Sequence, residues 1–91
     1  MTVKRRGKLE VIADILKAIQ NEEGKIKPTH LLYKSNLSHA KLKEYSDTLL
    51  KKGMIDERMV NGKKMVFIKD HGRKFLSEFE RIKEFSDSFG L

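Results

Sequence analysis

The dipeptide Asn61-Gly62 constrains the fold of this chain more than any other feature. It stands between two stretches rich in strand-forming residues, 54–60 and 63–69. A two-residue type I′ loop needs positive φ at both central positions, which Asn followed by Gly tolerates best, so the pattern predicts a tight β-hairpin. The short loop also sets the register. Ile55 falls opposite Ile68, Glu57 opposite Val66 and Met59 opposite Lys64 on one face, while Met65 and Phe67 lie on the other. The face bearing Ile55, Val66 and Ile68 is the one expected to meet the core.

The rest of the chain reads as helix. Leu9, Ile12, Leu16 and Ile19 recur at helical spacing, with Val11, Ile15 and Ala18 on an adjoining stripe and Gly24 as a stop. Ile26 follows as a candidate for a very short strand. Pro28 suits the first turn of a second, short helix that carries Leu31, Leu32 and Tyr33 and ends near Lys34. Tyr33 is expected in the core, with a hydrogen bond to phosphate as its alternative role. Ser35 and Asn36 form a turn, Ser38 caps a third helix, and Leu37 and Leu42 are placed to staple its entry. In that helix Leu42, Tyr45, Leu49 and Leu50 point inward, leaving Ala40, Lys43, Glu44, Asp47 and Lys51 outside. Residues 70–89 predict a last helix of about 28 Å with Phe75, Leu76, Phe79, Ile82, Phe85 and Phe89 along it. Such a helix outruns a small domain, so Ile82, Phe85 and Phe89 should overhang and call for a partner.

A short helix, a tight turn, a further helix and then a hairpin spell a helix-turn-helix followed by a wing. The expected class is mainly α with a small β-hairpin: a winged helix-turn-helix of three helices plus wing, with an additional C-terminal helix. Residues 1–69 form the winged-helix unit and residues 70–91 a candidate dimerisation element.

Charge supports the same division. Lys and Arg number 20 against 13 Asp and Glu, a net charge of +7. Residues 25–53 hold Lys25, Lys27, Lys34, Lys41, Lys43, Lys51 and Lys52 against only Glu44 and Asp47, a net +5. A polyanion is thus expected to approach the middle of the chain. Other chemistries find little footing. There is no Cys, no HExxH, P-loop or GxSxG motif, and His30, His39 and His71 fall at no metal-ligand spacing. No uncharged apolar run approaches the roughly 18 residues that span a bilayer. The expectation is a non-enzymatic cytoplasmic protein, nucleoid-associated, with no cofactor, no small-molecule ligand and no membrane contact.

The stretch IKPTHLLYKSNLSHAKLKEYSDTLLKKGMI over residues 26–55, followed after the hairpin by HGRKFL, resembles archaeal winged-helix proteins. Their pattern runs through Thr, Asn-Leu-Ser, a Tyr-containing third helix, Lys-Gly-Leu-Ile and a Lys-Gly-x-x-Phe-Leu helix start. The resemblance implies a small transcription regulator or chromatin-associated protein, in some members a dimer through the last helix. By position it puts Thr29 at the start of the second helix, Asn36, Leu37 and Ser38 in the turn, and residues 38–44 at the DNA-facing end. Where the pattern has a capping Thr this chain has Lys69, so Asp70 is expected to cap the last helix.

The candidate contacts to double-stranded DNA are therefore Thr29, Lys34, Ser35, Asn36, Ser38, His39, Lys41 and Lys43, joined by Arg58, Lys63 and Lys64 around the hairpin tip. Lysines suit phosphates, His39 and Asn36 suit base edges, and Arg58 suits a narrow minor groove. Glu44 and Asp47 on the same surface are expected to limit insertion, although Glu44 also suits cytosine. The third helix contains no Arg, the usual reader of guanine, so strong sequence readout is not assured. Arg5, Arg6 and Lys8 could form a basic arm, although a disordered start with incidental charge is the favoured reading. Phe79, Ile82, Phe85 and Phe89 are the candidate homodimer interface. The rival to DNA binding is a protein-interaction module within a larger nucleic-acid-processing assembly, because a fold does not fix its use.

Overall fold

The computed structural model describes residues 6–91. The elements follow one another as α1 (Lys8–Asn21), β1 (Lys25–Ile26), α2 (Pro28–Ser35), α3 (His39–Lys51), β2 (Ile55–Val60), β3 (Lys63–Ile68) and α4 (Asp70–Ser88). Arg5 lies outside the described residues.

The hairpin forms in the register that its loop dictates. Ile55 pairs with Ile68, Glu57 with Val66 and Met59 with Lys64, and Asn61 and Gly62 both take positive φ, 52° and 77°. The two residues of β1 add a third antiparallel strand beside β3, with Lys25 opposite Phe67 and Ile26 opposite Val66, giving the order β1-β3-β2. Ile26, Ile55, Val66 and Ile68 are buried on the shared inner face.

Helix α1 runs through the middle of the core, packing against α2, α4 and the sheet. Ile15, Leu16 and Ile19 are wholly buried, and Val11, Ile12 and Ala13 nearly so. Leu9 departs from its expected inward position and is 56% exposed, because the buried stripe begins two residues later at Val11. In α2 the inward pair is Leu31 with Ser35, one helical turn apart. This rotates Tyr33 outward to 81% exposure and corrects its expected core role.

The hairpin and α4 meet at a close approach. Gly72 is buried, and a Cβ there would press on the Met54 carbonyl oxygen and on the side chains of Ile68 and Leu16. The helix can lie this near the strand-entry loop only with hydrogen at that position. Leu76 is buried one turn later, and Phe75 and Phe79, their rings 6.2 Å apart, pack against the same core. The cap of α4 differs from expectation. Lys69 is the N-cap residue and offers no side-chain acceptor, while Asp70 is the first helical residue and receives Arg73 Nη1 at 2.9 Å.

Candidate nucleic-acid interface

The turn between α2 and α3 is tied from three directions. Asn36 adopts the left-handed conformation that ends α2, with φ 55°. The Ser38 hydroxyl oxygen accepts from the Lys41 amide at 3.1 Å, the N-cap bond that opens α3. Leu37 and Leu42 both pack against the core at this point. The third tie comes from Arg6, whose guanidinium donates to Asp14 Oδ2 at 3.0 Å and to the carbonyl oxygens of Ser35 at 3.0 Å and Asn36 at 3.3 Å. Arg6 thus binds the carbonyl end of α2 to α1. It is a positioning residue in this structure, which settles the place of the only described arginine of the candidate basic arm.

Helix α3 shows its inner stripe, Leu42 and Leu49, to the core and turns His39, Lys41, Lys43, Glu44 and Asp47 to solvent. Across from it stands the inner face of the hairpin beyond the core residues, namely Glu57 and Lys64. An open groove of about 220 Å³ runs between them, bordered by His39, Lys43 and Asp47 on α3, Glu57 and Lys64 on the hairpin, and Pro28 at the start of α2. Thr29 follows Pro28 and is exposed. The structure therefore gathers His39, Lys43 and Lys64 around one groove, with Thr29 and Ser38 next to its lining residues in sequence and Lys41 exposed on α3 outside it.

Other expected residues are not gathered there. Ser35 is 1% exposed and its hydroxyl donates to the Leu32 carbonyl, so its side chain is withdrawn from any ligand. Asn36 and Lys34 are exposed beside the turn, and Lys63 at the hairpin tip. Arg58 lies on the opposite face of the hairpin rather than at the tip, as its pairing with Met65 requires. Its guanidinium sits 3.9 Å from the centre of the Phe67 ring and its Nε is 3.3 Å from Asp56 Oδ2. There it borders a second open groove with Lys25, Lys69 and Arg73.

The exposed lysines of α3 and of the inner face of the wing are met by carboxylates. Lys43 Nζ is 3.4 Å from Asp47 Oδ2, Lys41 Nζ 3.8 Å from Glu44 Oε2, and Lys64 Nζ 3.3 Å from Glu57 Oε1. Glu57 joins the groove because α3 packs beside the wing face on which the hairpin register puts it. Among the described residues no group of side chains could hold a metal ion, and no helix is long and apolar enough to cross a membrane.

The winged helix-turn-helix family profile matches residues 5–87, nearly the whole chain. The chain belongs to the winged helix-turn-helix family. No curated protein sequence matches this winged helix. Solved structures do. Sso10a-2, a DNA-binding protein from Sulfolobus solfataricus, superposes with a TM-score of 0.79 at 24% identity, over 92% of this chain and 85% of that one. F93 from the virus STIV, a winged-helix DNA-binding protein, gives 0.75 at 16% identity, over 88% and 92%. F-93 of the virus SSV1 gives 0.64 at 21% identity, over 86% and 91%. In the winged helix these likenesses establish the fold: α2 and α3 are the helix-turn-helix pair, and β2 with β3 is the wing.

Proposed function

We propose that this winged helix binds double-stranded DNA, as a transcription regulator or an architectural chromatin protein associated with the nucleoid. The observation that carries the reading is the groove in which α3 and the wing present His39, Lys43 and Lys64 together. An α-helix fits the major groove, about 12 Å wide, and reads base edges from its first turns while a wing reaches the neighbouring backbone. Solved relatives of the same fold, Sso10a-2 and F93, are described as DNA-binding proteins, which supports the same use here.

In this account Lys41, Lys43, Lys63 and Lys64 meet phosphates. His39 and Asn36 face base edges, with Thr29, Lys34 and Ser38 at the flanks. Arg58 reaches only DNA that extends around the outer face of the wing. Residues 1–69 supply the contacts and residues 70–91 the assembly, with the first turns of α4 shared between the two. The assembly is a homodimer. Ile82, Phe85 and Phe89 are 67%, 65% and 66% exposed, and Leu9 lies across an open groove from Ile82. A second copy of the same stripe is the surface that removes both from water. Phe79, half-buried against its own core, contributes only its outer edge.

Neutralising Lys41, Lys43, Lys63 and Lys64 together to Gln tests the DNA reading. Each phosphate left without its lysine makes the slope of log affinity against log salt shallower by about 0.9, so a flattening of about 3 to 4 is expected. An unchanged slope and affinity would transfer the function to protein interaction.

A further inference from the structure

Of the three lysine–carboxylate pairs on α3 and the inner face of the wing, two are exposed and the third is exposed at Lys64 and half-buried at Glu57. The side chains of Glu44, Asp47 and Glu57 are 71%, 56% and 30% accessible. Pairs this wet contribute little to holding a fold together. Their weight falls instead on whatever approaches the lysines. Asp47 and Glu57 stand on opposite walls of one groove, and Lys43 and Lys64 stand beside them. By contrast Lys34, beside the turn, and Lys63, at the wing tip, meet no carboxylate among the described residues.

We infer that Glu44, Asp47 and Glu57 act as a built-in competitor for phosphate, weakening the grip of this surface on DNA of arbitrary sequence. The inference rests on the DNA-binding reading and adds a specificity device to it. A phosphate that reaches Lys43 or Lys64 must displace a carboxylate from the ammonium group. It then remains close to that carboxylate, within the Debye length of about 10 Å at 0.1 M salt. Every phosphate meets this penalty whatever the sequence. A carboxylate on the outward face of α3 recovers part of it where the major groove offers a hydrogen-bond donor, and the exocyclic amino group of cytosine is the donor that Glu and Asp accept. The carboxylates thus separate sites rich in such donors from the bulk of the duplex. In their absence the surface would hold any duplex by charge alone.

Removal of negative charge here is expected to tighten binding to random DNA. The test compares the full-length chain with a Glu44→Gln, Asp47→Asn, Glu57→Gln triple variant on a random-sequence duplex of about 30 base pairs, at low and at high salt. A control triple, Glu78→Gln, Glu80→Gln and Glu84→Gln, changes net charge equally on α4, away from α3 and the wing. The α3–wing triple variant is expected to bind about tenfold tighter at 50 mM salt, with the gain shrinking to about twofold at 300 mM, as screening requires. The control should gain less than about threefold. Glu44→Gln alone, on the most exposed of the three, gives the same sign and does not depend on the triple variant folding. Equal tightening by the α3–wing and control variants would reduce the effect to net charge and overturn the inference. Unchanged or weaker binding by the α3–wing variants would overturn it as well. In both cases the wild-type protein still binds DNA, whereas a wild-type protein that binds no duplex at any salt rejects the DNA reading itself.

Discussion

The groove between α3 and the wing and the outer end of α4 both face solvent, and they are built in opposite ways. The groove places charged side chains on a backbone secured from beneath and behind: Leu42 and Leu49 are buried under α3, Ser38 caps it, and Arg6 fastens the preceding turn. The end of α4 places Ile82, Phe85 and Phe89 on a helix that has run past the core, where the rings of Phe85 and Phe89 pack on each other, 4.8 Å apart, and stay largely exposed. A supported charged surface can stay in water and await a polyanion. An unsupported apolar one is costly in water until something covers it. The same short domain therefore carries one charged surface at home in water and one apolar surface that, in the function proposed above, its own copy covers.

The largest expected effect breaks the support on one side only. Leu49 is 1% exposed, and Leu49→Ala should lower unfolding stability by about 3 kcal/mol in urea denaturation, through reduced burial and the cavity left behind. Phe85→Ala, measured dilute enough to keep the chain monomeric, should cost less than about 0.5 kcal/mol. Similar costs at the two positions would mean that the α4 end is packed as the groove is. Next in size is assembly. Ile82→Glu with Phe85→Glu should convert a dimer at micromolar concentration into a monomer in sedimentation equilibrium. It should also weaken binding to a duplex with two half-sites on the order of 30-fold, since the second half-site is no longer reached by a tethered copy. A wild-type protein that sediments as a monomer removes the second half of the comparison. The smallest effect sharpens the first half. Ser38→Ala should cost about 1 kcal/mol, and amide exchange should accelerate in the first turn of α3 but not in α4.

How far the molecule was legible in its sequence follows the same division. The hairpin register was legible because a two-residue loop leaves no freedom, and the overhang of α4 because nineteen residues of helix outreach so small a core. Helix α2 was less so. Eight residues hold too little periodicity to orient a helix, so docking against α1 decided that Ser35 turns inward and Tyr33 outward. The anchoring of Arg6 spans 29 and 30 residues to its carbonyl partners, a distance at which no local spacing gives a signal. Arg58 is different, because strand alternation already put it on the face of Met65 and Phe67. Proximity to the hairpin tip pointed elsewhere, and side-chain parity was the better guide. Likewise Glu57 shares the face of Lys64 by register, and only the packing of α3 beside that face makes it part of the groove.

The central claim, that the α3–wing surface binds duplex DNA through its lysines, is tested most directly by an electrophoretic band-shift titration repeated across salt. The account predicts a shifted complex whose log affinity falls linearly with log salt, with a slope of about −3 or steeper, as expected when several phosphates are neutralised. A protein that leaves duplex DNA unshifted at low salt, or binds it with no dependence on salt, would contradict it.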